Sequence, residues 1–212
     1  MNREVIGRGT WIDKIASTII SRDKDIGRPL KSFLVESGLG ASGFPHIGSL
    51  GDAVRAYGVS LAIKNLGYDS KLIAYSDDLD GLRKIPTGLP DWLCDYIGKP
   101  VANIPDPVGH CHDSYGDHMS SQLLDALDRL DINYEFLNAA KVYGSGMLTH
   151  QIHIILSNAP KLGNKIEEFV GQSKYIETLP YFPICESCGR LYVAHAEKYI
   201  TEERKISYSC DG

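Results

Sequence analysis

The chain has 212 residues, of which 43% are hydrophobic and 23% charged, and its formal net charge is −5. This length suits one domain with a small appendage, and the composition is ordinary for a globular protein. The charge excludes a dedicated basic arm for nucleic acid but leaves open a local patch that binds RNA. The sequence favours the cytosol, because no apolar run is long enough to span a bilayer and residues 1–14 lack the apolar core of a secretory signal.

The first predicted element is a helix over residues 10–22, where apolar residues recur at helical intervals and Thr10 is a candidate N-cap. Alternating strands and helices then follow, with strands at 30–37, 70–77 and 132–139 and helices at 47–66, 115–131 and, as one or two helices, 147–171. A strand, a crossover helix and a second strand form a βαβ unit, so we predict an α/β fold with a parallel, doubly wound sheet of the Rossmann type.

Two segments depart from this pattern. Residues 77–110 carry five prolines, which predicts an irregular insertion over 77–118 with one short helix at 91–96. From Tyr181 onward the chain is aromatic, rich in β-forming residues and cysteine-bearing, as in a small zinc ribbon. We therefore predict a Rossmann-like domain over 1–180 and the start of a truncated ribbon subdomain over 181–212.

The glycine-rich segment "SGLGASGFPHIGSLGD", residues 37–52, lies between the first predicted strand and the next helix. A strand that runs through glycines into a helix N-terminus makes an anion site, because free N–H groups and the helix dipole face the ligand. His46 stands where this helix begins and could donate a hydrogen bond to phosphate, while Gly48 would leave room for an adenine ring. The alternative is an ordinary glycine-rich turn with an incidental histidine.

Several blocks of the sequence resemble class I lysyl-tRNA synthetase of the archaeal type. They include "FLVESGLGASGFPHIGSLGDAVRAYGVSLAIKNLGY", "LIAYSDDLDGLRKIP", "IPDPVGHCHDSYGDHMSSQLLDALD" and "EFVGQSKYIETLPYFPICESCGRLYVA". The resemblance runs from about Trp11 onward and makes "HIGS" this chain's version of the HIGH box. It implies a ligase that activates lysine with ATP, with magnesium as an optional companion ion, and transfers the lysyl group to tRNA-Lys.

The resemblance also implies roles for individual residues. Phosphate binding and transition-state stabilisation fall to His46, Gly48 and Ser49, and the floor of the lysine pocket falls to Ser37 and Gly38. Ser42 and Gly43, from the same motif, are expected at the substrate site. The lysine ammonium needs a carboxylate once it leaves water, for which the candidates are Glu36, Asp77 and Asp78. Each of these acids is alternatively a solvated strand-end residue, and we expect that of at least one.

The segment "DPVGHCHDSYGDH" contains one carboxylate, one thiol and two imidazoles, a sensible donor set for zinc: Asp106, Cys111, His112 and His118. The resembling family carries a similar group that is taken to bind zinc. Here His110 looks like an extra residue before Cys111, so either could be the ligand. The alternative is a polar loop with unrelated histidines.

A second candidate metal site is Cys185-x-x-Cys188 with Cys210 further on, which is half a zinc ribbon plus one ligand. We interpret it as a structural zinc site that lacks its fourth ligand in this chain. A redox pair is the alternative, but the βαβ setting that lowers a thiol pKa is missing. Cys94 is expected to be an ordinary buried cysteine.

Nothing in the sequence matches the second class I signature, the KMSKS loop, or the family's long anticodon-binding region. The chain could be a fragment, which we favour, one half of a split enzyme, or a stand-alone relative. Two other functions stay open. One is a non-catalytic, zinc-stabilised module that binds RNA or protein. The other is a different HIGH-box nucleotidylyltransferase, which would explain the histidine but not the cysteines.

Overall fold

The computed structural model describes residues 9–212, so the prediction about a secretory signal falls largely outside the described residues. The main elements are α1 (Trp11–Asp25), β1 (Ser32–Leu39), α2 (Ile47–Asn65), β2 (Asp69–Ser76), α3 (Tyr115–Arg129), β3 (Glu135–Asn138), α4 (Ala139–Gly144), α5 (Thr149–Ser157), α6 (Ala159–Val170), α7 (Lys174–Glu177), β4 (Ala194–Ile200) and β5 (Lys205–Cys210). Within residues 9–212 no helix is both long and apolar enough to cross a membrane.

The first three strands form a parallel sheet in the order β1-β2-β3, which confirms the predicted parallel α/β fold. Leu39 pairs with Ser76, and Ser76 pairs with Asn138, so all three strands end level at one edge. The strand order advances in one direction, so residues 9–212 do not contain the reversal that double winding needs. The level edge is the place where a sheet of this kind binds its ligands.

Apolar periodicity explains how the helices cover the sheet. Phe33 on β1 packs with Val59 and Ile63 of α2 and with Ala16 and Ile20 of α1. Each fully buried aliphatic or aromatic side chain contributes about 1.5–3 kcal/mol relative to an exposed one. The other face of β1 is exposed, as Leu34 shows at 70% exposure.

The predicted insertion between β2 and α3 is irregular but well packed. The short helix expected at residues 91–96 is present as a 3-10 helix, Asp91–Tyr96, and a second covers Val101–Asn103. The insertion has its own apolar core, to which the first residue of α3 also belongs: Ala41, Leu82, Leu89, Leu93, Val101, Ile104, Tyr115 and Met119. A core of this kind gives a loop without regular structure a fixed shape.

The C-terminal segment forms an antiparallel hairpin, β4 with β5, as its β-rich composition predicted. It contacts the insertion through backbone bonds, since Leu191 N–H donates to Gly98 O at 2.9 Å. The Arg190 guanidinium Nε donates to Ile97 O at 3.0 Å. The boundary at residue 180 stays a prediction. Helix α4 was not predicted, because Ala139 and the residues after it continue directly from β3.

Candidate functional site

The carboxyl edges of β1 and β2 bring the predicted substrate residues together. The backbone N–H of Asp77 donates to Leu39 O at 3.2 Å. A Cβ built on Gly38 would stand 3.4 Å from the Asp77 carboxylate. Asp77 therefore lies against the last residues of β1, where the glycine-rich loop, residues 40–46, begins.

His46 is the N-cap of α2 and uses its imidazole to cap the helix. Its Nδ1 accepts hydrogen bonds from Gly48 N–H at 3.1 Å and Ser49 N–H at 3.3 Å. A ring nitrogen that accepts from an N–H carries no proton, so the neutral ring bears its hydrogen on Nε2. The side chain is exposed, which leaves Nε2–H free to donate to a ligand at the helix N-terminus.

Gly48 makes room for the imidazole itself. A Cβ at this position would come within 2.9 Å of both Cε1 and Nδ1 of His46. Any side chain at residue 48 would push the ring out of its capping position. The predicted contact of Gly48 with adenine stays a prediction. Independently of it, the capping position of the His46 ring requires a residue without a side chain at position 48.

Tyr115, which the sequence did not mark as a site residue, holds the glycine-rich loop in place. The Tyr115 hydroxyl, at the start of α3, donates to Ser42 O at 2.9 Å, and the Tyr115 side chain is fully buried. Neighbouring Ala41 is also buried in the insertion core. Ser42 itself is exposed and Gly43 half-buried. Apolar spacing on α3 marks Tyr115 as a core residue but gives no sign of a partner 73 residues away.

Acidic groups collect beside the strand ends. Burial and the like charges of Asp80, Glu36 and Asp78 raise the pKa of Asp77. Burial, followed by Tyr143 and the acids Asp77 and Glu36, raises the pKa of Tyr75 to about 12. Like charges held this close favour a bound cation, which would relieve their repulsion.

Asp78 is placed differently from its neighbour. It is 2% exposed, and its Oδ1 accepts the Ala140 N–H, near the start of α4, at 2.8 Å. Burial raises the pKa of its carboxyl. Asp78 is therefore not the solvated strand-end acid of the alternative, because it is buried and bonded to α4. Its predicted role at the substrate site stays a prediction.

Ser37 lies on the buried face of β1. Strand alternation puts it with Phe33 and Leu39 on the face that packs against the helices, and its Oγ is buried without a partner. Glu36 and Gly38 alternate to the opposite, exposed face. The predicted place of Ser37 on the floor of the lysine pocket stays a prediction.

A cavity of about 780 Å³ opens between the sheet edge, α4 and the ribbon. Asp77, Tyr75 and Tyr143 line its inner side, and aromatic residues of 181–192 together with β5 line the outer side. Its volume is within the range of small-molecule sites. His46 is not part of this wall, so the cavity and the helix N-terminus are two separate features of the same sheet edge.

The first candidate metal centre brings all four predicted ligands together. Asp106, Cys111, His112 and His118 offer ligand atoms that lie within 4.8 Å of one another. His118 Nδ1 is 3.2 Å from His112 Nδ1, 3.5 Å from Cys111 Sγ and 3.1 Å from the Asp106 carboxylate. Ligand atoms on one tetrahedral zinc stand about 3.3–3.8 Å apart, so this donor set fits zinc.

Backbone N–H groups orient the carboxylate of Asp106 and stabilise its charge. It accepts N–H bonds from Val108, Cys111 and His112 at 2.8–3.0 Å. Burial raises its pKa, but these bonds and His118 outweigh burial and bring the pKa to about 2. His110 has a φ of 52° and lies outside the group, so Cys111 is the residue with the ligand geometry.

The second candidate metal centre contains three thiols, Cys185, Cys188 and Cys210, also within 4.8 Å of one another. Cys188 Sγ and Cys210 Sγ are 3.8 Å apart. Backbone N–H groups of Cys188 and Ser187 lower the pKa of Cys185 to about 7, which favours a thiolate. Three soft donors fit zinc as part of a structural site. Cys94 is exposed, contrary to the expected burial.

Comparisons with known proteins agree with this geometry. A family model described as "tRNA synthetases class I (K)" matches residues 9–212. The chain is 58% identical over 207 residues to a lysine–tRNA ligase of Cenarchaeum symbiosum, covering 98% of this chain and 39% of the relative. It is 31% identical over 201 residues to a lysine–tRNA ligase of Archaeoglobus fulgidus, covering 95% and 39% respectively.

A lysine–tRNA ligase of Rickettsia akari is 33% identical over 184 residues, covering 85% of this chain and 35% of the relative. The chain thus spans less than two fifths of the length of the curated relatives it matches. The match of the family model over residues 9–212, together with the capped HIG helix and parallel sheet that it covers, establishes that this chain belongs to the class I tRNA synthetases (K).

Proposed function

We propose that this chain is the part of a lysine–tRNA ligase that binds ATP and lysine. The observation that carries the proposal is the capping geometry of His46, whose Nδ1 accepts from α2 and whose exposed Nε2–H is left to donate. The helix N-terminus adds the positive end of the helix dipole at the same point. The relatives that bear the name lysine–tRNA ligase support this reading.

The proposed reaction has two steps. The lysine carboxylate attacks the α-phosphate of ATP, which forms lysyl-adenylate and releases pyrophosphate. The lysyl group then passes from the adenylate to the terminal adenosine of tRNA-Lys. His46 and the N–H groups of the glycine-rich loop would stabilise negative charge that develops on the phosphate oxygens. This is catalysis by positioning and electrostatics rather than by a covalent intermediate.

The lysine side chain would enter the cavity beside Asp77. The raised pKa of Asp77, caused by burial and neighbouring acids, reflects a site that gains from a positive ligand. Tyr75 and Tyr143 line the same wall and offer aromatic faces to an ammonium group. Glu36, on the exposed face of β1, would attract the lysine ammonium group at longer range.

The role of His46 can be separated from its structural role with two variants. His46→Ala removes both the helix cap and the Nε2–H donor, whereas His46→Asn keeps a side-chain acceptor for the cap. We expect both variants to weaken ATP binding, measured by calorimetry, and only His46→Ala to lower the free energy of unfolding, by about 1 kcal/mol. Unchanged ATP affinity in both variants would refute the phosphate-binding role.

The lysine assignment is tested by comparing two adjacent acids. Asp77→Asn removes a charge that faces the cavity, while Asp78→Asn alters a buried carboxylate that accepts from Ala140. We expect Asp77→Asn to weaken lysine binding about tenfold or more and Asp78→Asn to act on stability. Ornithine and arginine serve as competing ligands. The reverse pattern would move the ammonium site to Asp78.

We expect the isolated chain to bind its substrates but to have little or no ligase activity. The sequence lacks a KMSKS-like loop, and losing one source of transition-state charge stabilisation costs about 3–4 kcal/mol by analogy with an oxyanion donor. The measurement is ATP–pyrophosphate exchange with each of the twenty amino acids, with zinc content determined on the same sample. Robust lysine-dependent exchange by these 212 residues would contradict the expectation.

A non-catalytic RNA-binding module is the second candidate, and two pairs of a cationic and an aromatic side chain favour it. The Arg83 guanidinium lies 5.3 Å from the Tyr192 ring centroid, and the Lys99 ammonium lies 5.0 Å from that of Tyr96. Cations beside aromatic rings suit single-stranded RNA. If this were the whole function, His46→Ala would leave RNA affinity unchanged and ATP would not bind.

The metal sites complete the proposal. Zinc in the Asp106 cluster and in the three-cysteine cluster would fix the insertion and the ribbon, and magnesium would enter with ATP. Partners would be tRNA-Lys, lysine and ATP, and the cytosol is the location that suits them. None of these roles requires a redox reaction at the Cys185-x-x-Cys188 pair.

A further inference from the structure

Tyr115 connects two parts of the molecule that are distant in sequence. It is the first residue of α3, its side chain is fully buried, and its hydroxyl donates to Ser42 O at 2.9 Å. Ser42 lies in the glycine-rich loop, four residues before His46. Burial raises the pKa of the Tyr115 hydroxyl to about 12, so the group is a proton donor at neutral pH.

Backbone and side-chain hydrogen bonds hold the turn that carries Tyr115. The Tyr115 N–H donates to Ile104 O at 2.8 Å. Ser114 is the N-cap of α3 and its Oγ accepts the Asp117 N–H at 3.1 Å. The loop is also fixed by Ala41, which is 2% exposed and packs in the same core as Tyr115. One polar and one apolar contact therefore join the loop to the insertion.

We propose that Tyr115 is a positioning residue for ATP binding, which acts by holding the glycine-rich loop in its ligand-ready shape. The proposal rests on the proposed function of this loop. Glycine-rich loops have many accessible conformations, and each residue that must be ordered on binding weakens affinity. A hydrogen bond that orders the loop beforehand removes part of that cost.

The test compares Tyr115→Phe with the matched control Tyr134→Phe. The control also loses one tyrosine hydroxyl bond, from Tyr134 to Asp128 at 2.9 Å, at the opposite end of α3. Amide hydrogen exchange is followed by NMR, and ATP affinity by calorimetry. We expect Tyr115→Phe to accelerate exchange in residues 41–44 and to weaken ATP binding, each about fivefold. Exchange in β1 and β2 should change no more than in the control.

A second variant keeps the proposal testable if Tyr115→Phe folds poorly. Ala41→Gly loosens the other anchor of the same loop without removing the Tyr115 hydroxyl, and it should also accelerate exchange in residues 41–44 and weaken ATP binding. The proposal is overturned if the loop exchanges at the wild-type rate in both variants, or if the control changes it equally. If wild-type protein fails to bind ATP while the loop still loosens in Tyr115→Phe, the nucleotide function fails but the anchoring by Tyr115 holds.

Discussion

The two candidate metal centres differ both in their ligands and in their surroundings. The Asp106 cluster lies in an insertion with its own apolar core, and Asp106 is 1% exposed. The three-cysteine cluster joins a hairpin whose residues are mostly exposed or half-buried. The first region has packing and backbone hydrogen bonds to hold its shape. The second has its strand pairing and a few bonds to the insertion, but its strands bury little side-chain surface.

This contrast indicates what a metal would do in each place. In the insertion, the ligands are already oriented by packing, so a metal would add stability to a formed structure. In the ribbon, the metal would supply much of the folding free energy, as in small zinc domains. Four experiments compare what holds the insertion and what holds the ribbon, from the largest expected effect to the smallest.

The largest effect is expected when metal is removed from the ribbon. Chelation should unfold the hairpin, because apparent zinc-binding energies of small zinc domains are about 10 kcal/mol or more. Trypsin should then cut at Arg204 in the turn between β4 and β5, while the helices on the sheet stay resistant. Cys188→Ser should reproduce this and release about one equivalent of zinc. A ribbon that stays protected without metal would remove the contrast.

The next effect concerns the carboxylate of the first cluster. Asp106→Ala would leave the partly buried N–H groups of Val108, Cys111 and His112 without this acceptor. We expect the free energy of unfolding in urea to fall by about 3–5 kcal/mol, even in metal-free protein. Asp113→Ala, an exposed acid in the same loop, should change it by less than about 0.5 kcal/mol. Equal effects would show that the backbone bonds to Asp106 contribute little.

A smaller effect is expected at high pH. Burial raises the pKa of Tyr115 from 10.0 to about 12. The folded state therefore holds the proton more tightly, and this stabilisation is present below pH 10 and is lost as the pH rises toward 12. Tyr115→Phe lacks this titration, so the wild type should lose about 2–3 kcal/mol more than the variant between pH 9 and 12. Parallel urea-unfolding curves across this range would contradict the prediction.

The smallest effect concerns the attachment of the ribbon. The Tyr192 hydroxyl lies 3.2 Å from Gly81 N, from which it accepts, and 3.3 Å from Arg83 Nε. Tyr192→Phe should weaken docking by about 1 kcal/mol, seen as faster amide exchange in the ribbon with little change elsewhere. Tyr208→Phe, which loses only the ribbon-internal bond from Glu186 N, is the control. It should not affect exchange in the insertion at Gly81.

Local pattern was enough to predict most of the elements. Alternation and helical spacing located β1, β2, α2 and α3 to within a few residues. Proline density marked the insertion, and cysteine and histidine spacing identified both ligand groups that the structure brings together. These features were predictable because each depends on residues close in sequence.

The orientation of neighbouring residues was harder to predict. Asp77 and Asp78 looked equivalent, yet one lines the cavity and the other is buried against Ala140. The deciding neighbour, Ala140, belongs to another element, which spacing along the chain does not reveal.

The sequence by itself determined a parallel α/β domain, a histidine at the start of its first crossover helix, and two sets of metal-ligating residues. Tertiary structure alone decided that Tyr115 holds Ser42 and that Asp77 rather than Asp78 faces the cavity. The physical reason is that propensity and periodicity act over a few residues, whereas these contacts join segments that meet only when the core packs.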